Sequence, residues 1–256
     1  MFSNTLPCTY PLYPSDSASP LSIRHRIGDS STPTRDTRSP PVYTMPPLFS
    51  VAVLVYPGAD VLDFAGPLEI YSTNPPPGAP VHFTTTTFAH RSPVKAAANA
   101  LTLVPDASFA DVSSNLENYD VLVIPGAAPE HLIEYADSAE GIEIAVLLRR
   151  FAQLPPRKET GHRIIQSVCT GAFLLAAAGI LAGRTVTTHH IGVVRKRWVD
   201  AGKTEQGVRI VNAGGVTSGL DASLWVMEML VGRERAQWVA DIIEFERRGQ
   251  NEAWGS

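Results

Sequence analysis

The chain has 256 residues with a formal net charge of -4; 44% of them are hydrophobic, 18% charged and 8% aromatic. That length suits one domain of roughly 100–200 residues with an appendage, and the apolar share excludes a wholly disordered chain. The small negative charge argues against affinity built on phosphate neutralisation, no apolar run approaches the roughly 18–20 residues of a bilayer span, and two cysteines cannot make a disulfide-rich scaffold.

The first 47 residues hold nine Pro, eight Ser and six Thr. Such a segment buries too little apolar area to offset its ordering entropy, so a disordered tail over 1–47 is expected. It has no uninterrupted apolar h-region, which argues against a secretory signal. Its arginines fit an organelle transit peptide, but Asp16, Asp29 and Asp36 count against one. Met45 is an alternative start. Residues 48–256 are expected to form one α/β domain in the cytoplasm.

Phe49–Tyr56 is a continuous apolar run with β-branched residues, followed by Pro57-Gly58. It predicts a strand buried on both faces. Residues 59–73 have helical spacing around Gly66-Pro67, which predicts a kinked or split helix. Val81–Phe88 alternates and predicts a second strand. Residues 93–105 suggest a short hairpin or edge segment. Tyr119–Ile124, before Pro125-Gly126, predicts another buried strand. Residues 139–153 read as a helix, with Ile142, Val146 and Leu147 at helical intervals. Arg163–Val168 predicts a strand and Gly171–Leu181 an apolar helix. Val208–Val211 predicts a short strand, and 218–231 and 233–247 helices. Strands alternating with helices imply a doubly wound, mostly parallel sheet flanked by helices. Ligands in such sheets sit beyond the carboxyl ends of the strands.

Cys169 stands at one of those ends, between an apolar strand and an uncharged helix. That is the arrangement of a nucleophile elbow. A helix start there would stabilise a thiolate, and the N–H groups of Thr170 or Gly171 could receive developing negative charge. Gly171 would let backbone pass close by. The alternative is an inert buried cysteine. Asp63 lies among apolar residues one turn into the helix after the first strand. Facing a pocket, it would have a raised pKa and could hold and deliver a proton; otherwise it is a helix-terminus acid. Glu69 is a weaker candidate. His189 follows Thr188 and could either approach the cysteine or open a helix capped by Thr188. Ser218-x-x-Asp221 reads as a capping box, with Asp221 structural. No Cys/His/Asp cluster has metal spacing, and the adjacent His189-His190 pair cannot face one ion from a helix. No P-loop or dinucleotide fingerprint is present, so no cofactor is expected.

The stretch from Ile165 through Ser167-Val168-Cys169-Thr170-Gly171 to Thr187-Thr188-His189 resembles the signature of the ThiJ/PfpI superfamily. Leu62-Asp63-Phe64-Ala65-Gly66-Pro67, Val123-Ile124-Pro125-Gly126 and Gly214–Asp221 fit the same pattern in the same order, so the likeness spans about residues 49–247. It implies a flavodoxin-like, class I glutamine amidotransferase-like fold. Within the superfamily the residues are most similar to isonitrile hydratases, which add water to an isonitrile to give an N-substituted formamide. By that likeness Cys169 is the nucleophile, Asp63 the acid/base and Thr170 its neighbour. Gly126, Ala127, Gly171 and His189 are the expected substrate-binding positions. Similar sequences also form the sensor half of AraC-type regulators. Only 25 residues follow Val231, too few for a DNA-binding domain, so no nucleic-acid partner is expected. The protease branch has His where Thr170 stands, and the glyoxalase branch uses a glutamate where Asp63 stands. Many members have Pro-Gly-Gly where this chain has Pro125-Gly126-Ala127, which weakens an oxyanion role for that loop. The likeness implies a homodimer acting on a small molecule. A carbonyl hydratase of the glyoxalase type and a non-catalytic redox sensor or interaction protein, with an exposed, low-pKa thiol as the signal, are the rival functions.

Overall fold

The computed structural model describes residues 48–189 and 196–252; the expectations for 1–47 and for His190 lie outside them. Its strands are β1 (Phe49–Leu54), β2 (Phe83–Ala89), β3 (Val94–Ala96), β4 (Leu101–Leu103), β5 (Ala107–Ser108), β6 (Val121–Ile124), β7 (Ile164–Ser167), β8 (Trp198–Lys203) and β9 (Arg209–Ala213). Its helices are α1 (Val61–Ser72), α2 (Phe109–Ser114), α3 (Pro129–Asp137), α4 (Ala139–Gln153), α5 (Ala172–Ala177), α6 (Ser218–Val231) and α7 (Arg233–Ile242). Seven strands form one sheet in the order β5-β2-β1-β6-β7-β9-β8. All its pairings are parallel except that of β8 with β9. β3 and β4 form the separate antiparallel hairpin expected over 93–105.

The central strands are apolar because both sheet faces are covered. Every residue of β6 and β7 is buried, including the polar Gln166 and Ser167. Gln166 is satisfied on both sides: its Oε1 accepts from Tyr71 of α1 and its Nε2 donates to Ser223 of α6, each at 2.7 Å. That pairing removes the cost of burying an amide without partners. Helices α1, α6 and α7 pack together as one group, and α3, α4 and α5 as another.

Several expectations change. Pro67 does not split α1, which runs unbroken from Val61 to Ser72. Helix α4 has the expected bounds but a different buried stripe. Ile144, Leu147, Leu148 and Phe151 face the core, while Ile142 and Val146 are exposed. The buried set follows the i, i+3, i+4, i+7 spacing of one helix face, and each such side chain stabilises the fold by about 1.5–3 kcal/mol. The apolar helix expected over 171–181 shortens to a 3₁₀ turn, Cys169–Gly171, followed by α5. The last helix stops at Ile242 rather than 247. The capping box at Ser218-x-x-Asp221 is absent. Thr217 occupies the N-cap without a side-chain bond, and Asp221 instead binds buried Arg197 at 2.6 Å and the Arg248 N–H at 2.7 Å. A buried guanidinium needs a counter-charge more than a helix start needs a cap. A capping box does exist at Ser108 and Asp111, on the unforeseen α2.

Candidate active site

The sheet order reverses around β1, whose neighbours are β2 on one side and β6 on the other. Loops leaving β1 and β6 therefore diverge at a topological switch point, where doubly wound sheets bind ligands. Here the two loops are stitched together. Asp60 N–H donates to the Gly126 carbonyl at 2.9 Å, Ala59 bridges to Ala127, and Gly126 N–H donates to Asp63 Oδ2 at 2.9 Å. The turn after β7 brings in the third component.

That turn is a strained elbow. Val168 is extended with φ -121°, Cys169 has φ +54°, and Gly171 is already helical with φ -55°. A non-glycine residue at positive φ costs about 1–3 kcal/mol and persists only where its surroundings hold it. Three bonds hold this one. Cys169 N–H donates to the Gly214 carbonyl at 2.9 Å, Thr188 Oγ1 donates to the Cys169 carbonyl at 2.8 Å, and Gly171 N–H donates to the Val168 carbonyl at 2.9 Å. Gly171 is required by space, since a Cβ there would lie 2.8 Å from the Pro125 carbonyl oxygen.

The donor atoms of Asp60, Asp63 and Cys169 all lie within 4.8 Å of one another. Asp63 is fully buried and Cys169 only 3% exposed. Burial pushes the Asp63 carboxyl up to about 7, with the neighbouring Asp60 adding to the rise; the Gly126 N–H and the Cys169 thiol oppose it. Its second oxygen, Oδ1, has no hydrogen-bond partner among the described residues. Burial and Asp63 push the Cys169 thiol up to about 12, against stabilising contacts from Thr170. This corrects the expectation of a thiolate favoured by a helix start. Only a 3₁₀ turn and six residues of α5 follow Cys169, and the desolvation and the adjacent carboxyls outweigh them. Cys169 is buried, whereas the redox-sensor reading expects an exposed thiol.

Thr170 is buried, and its hydroxyl closes a two-way bond with Ala127, accepting from the N–H at 2.9 Å and donating to the carbonyl at 2.7 Å. The amides of Gly126, Ala127 and Gly171 each donate within the protein, so of the two N–H groups expected to receive developing charge, Thr170 and Gly171, the second is already engaged. Thr170 N–H interacts with the Cys169 sulfur instead. Gly126 is needed for fit: a Cβ would lie 2.6 Å from the Thr170 backbone nitrogen. His189 sits against Gly215 and acts on Asp60, whose carboxyl it holds down together with His131 against the upward push of burial. The charged groups acting on the Cys169 thiol are the carboxyls of Asp63 and Asp60. Glu69 is exposed. Asp60, which the sequence pattern places inside a helix over 59–73, stands at the N-cap of α1, and its side chain makes no capping bond.

Asp60, Asp63 and Cys169 could offer three donor atoms to a cation, but the raised pKa values mean that a cation would compete with protons there. A cleft of about 510 Å³ lies against the β1–α1 loop, lined by Gly58, Lys95, Ala98, His131 and Tyr135 among others. Cys169 and Asp63 do not line it; His131 connects the two regions, because it faces the cleft and acts on Asp60. Among the described residues no helix is long and apolar enough to cross a membrane.

Residues 49–228 match the DJ-1/PfpI family. An uncharacterized protein in the cpoL 5' region of Streptomyces lividans is 34% identical over 151 residues, 57% of this chain and 93% of that protein. The isonitrile hydratase of Pseudomonas putida is 28% identical over 206 residues, 76% of this chain and 78% of that enzyme. The crystal structure of a ThiJ/PfpI family protein from Pseudomonas syringae superposes with a TM-score of 0.59 at 23% identity, covering 87% of each chain.

Proposed function

The chain belongs to the DJ-1/PfpI family, and from that premise we propose that it is a cysteine-dependent hydratase converting an isonitrile to an N-substituted formamide. The observation that carries the reading is the buried pair of Asp63 and Cys169, whose reactive atoms lie within 4.8 Å. A carboxyl that burial holds at about 7 stands close enough to the thiol to take its proton and return it within one turnover. The similarity to the Pseudomonas putida isonitrile hydratase supports the choice of substrate.

In the first step Asp63 removes the Cys169 proton as sulfur bonds to the terminal isonitrile carbon. The carbon takes the proton from Asp63, giving a thioimidate, R–N=CH–S–Cys169. Water then adds to that carbon and nitrogen gains a proton. The hydroxyl proton leaves, C=O forms, the C–S bond breaks and the sulfur regains a proton. One water is consumed, and its two hydrogens account for the C–H and N–H of the formamide. Covalent catalysis divides one difficult addition into two easier ones. Thr170 positions the elbow against the β6 loop through its bonds to Ala127. The proposed compartment is the cytoplasm and the proposed assembly a homodimer, which sedimentation in solution would test.

A substrate panel tests the reading. Wild type, Cys169→Ala and Asp63→Asn are each incubated with an alkyl isonitrile and with methylglyoxal. Formamide made by wild type and lost in Cys169→Ala supports it. Undiminished formamide in Cys169→Ala removes the nucleophile, and turnover of methylglyoxal alone moves the chain to the glyoxalase-type carbonyl hydratases.

A further inference from the structure

We propose that Asp60 is a second catalytic carboxylate of this site, the base that takes a proton from the water as it attacks the thioimidate. The proposal rests on the isonitrile reading above and assigns its water step to a residue of its own.

Three observations carry it. First, Asp60 occupies the N-cap of α1, where an Asp side chain ordinarily accepts from the first turn, yet it makes no capping bond. Its carboxylate instead stands within 4.8 Å of both an Asp63 oxygen and the Cys169 sulfur. Two carboxylates so close repel one another, so capping does not explain the placement. Second, the two acids differ in their access to water. Asp63 is fully buried, whereas Asp60 is half-buried. Of the two carboxyls, Asp60 is therefore the one that solvent water can reach. Third, their surroundings separate their proton affinities. Asp63, held in the dry interior, sits at about 7. Burial raises Asp60 as well, but His189 and His131 oppose that rise. The titratable groups around the pair are thus Asp63, Cys169, Tyr56, His189 and His131. Neighbouring carboxyls in unlike environments are the arrangement that divides acid from base.

The proton balance is closed. Asp63 shuttles the thiol proton to carbon in the first step and ends as a carboxylate. Asp60 takes one proton from water as oxygen bonds to carbon and the C=N pair moves to nitrogen, then passes that proton to nitrogen. It next takes the hydroxyl proton as C=O forms and the C–S bond breaks, and returns it to sulfur. Both carboxylates and the thiol are regenerated.

The test is intact-mass spectrometry of wild type, Asp60→Asn and Asp63→Asn mixed with an alkyl isonitrile, alongside formamide release. Asn keeps the shape of Asp60 and sacrifices no capping bond. Asp60→Asn is expected to gain the mass of one isonitrile on Cys169 and to release formamide at least 100-fold more slowly; Asp63→Asn gains no mass. Formamide release by Asp60→Asn within threefold of wild type overturns the proposal. So does a slow Asp60→Asn that never accumulates the adduct, because Asp60 then acts before the first bond forms. A wild type inert toward every isonitrile removes the underlying reading, a result distinct from either.

Discussion

Asp63 and Gly126 are joined by a single 2.9 Å hydrogen bond, from the glycine N–H to Oδ2, while the other carboxyl oxygen has no partner among the described residues. The bond ties the loop after β6 to α1. It also favours the ionised acid, but one N–H does not offset full desolvation, and the carboxyl remains at about 7. A group kept near neutrality in this way is costly to the fold and useful to proton transfer.

The first prediction concerns that cost. Burial raises the folded pKa of Asp63 from 3.8 to about 7. The folded state therefore binds the extra proton between those values, and its stability falls as pH rises from about 4 to 7, then levels. Asp63→Asn removes the ionisation and can keep the Gly126 bond through its amide oxygen. It is expected to stabilise the protein by about 2–4 kcal/mol at pH 8 and by much less at pH 4. Denaturant unfolding at both pH values measures it; an equal effect at the two would show that ionisation is not its source.

The second concerns rate. The proposed first step needs exactly one proton on the Asp63–Cys169 pair. Below about 7 both groups are protonated and no base remains; above it the carboxylate faces a thiol that keeps its proton up to about 12. Isonitrile hydration, as kcat/KM, is therefore expected to rise tenfold per pH unit below about 7 and to level above it. A profile flat from pH 5 to 9 would take Asp63 out of the proton transfer.

Thr170 supplies the third. Its hydroxyl serves both the N–H and the carbonyl of Ala127. Thr170→Val keeps the shape and strands two buried backbone groups, at about 1–3 kcal/mol each. A lower Tm and a weaker kcat are expected, with both largely restored in Thr170→Ser. If Val and Ser behave alike, the hydroxyl does not hold the loop.

The fourth lies behind the site. Arg197 and Asp221 form a buried pair at 2.6 Å, and Asp221 also anchors the Arg248 N–H at 2.7 Å. Asp221→Ala leaves a buried guanidinium uncompensated and is expected to cost about 3–5 kcal/mol. A loss below 1 kcal/mol in thermal or denaturant unfolding would show that the buried pair does not hold the fold.

Much of this was legible in the chain. Phe49–Leu54, apolar but for Ser50, and Val121–Ile124 announce buried parallel strands, and Cys169 announces an elbow by standing between strand and helix. Strand β8 was not legible, because Trp198–Lys203 carries Asp200, Gly202 and Lys203 and takes its place through antiparallel pairing at the sheet edge. Periodicity alone does not give the buried stripe of α4, because Ile142 and Val146 are apolar yet exposed.

By itself the sequence determined the class of fold, the position of the elbow and the identity of its thiol, since these follow from local pattern along a few consecutive residues. Only the tertiary structure decided that Asp60 and Asp63 meet Cys169, that the amides of Gly126 and Ala127 are already engaged, and that the thiol is raised rather than lowered. Those outcomes depend on desolvation and on hydrogen-bond and charge partners that lie from 43 to more than 100 positions apart in the chain. Proton affinity is set by what surrounds a group in space, which no run of neighbouring residues records.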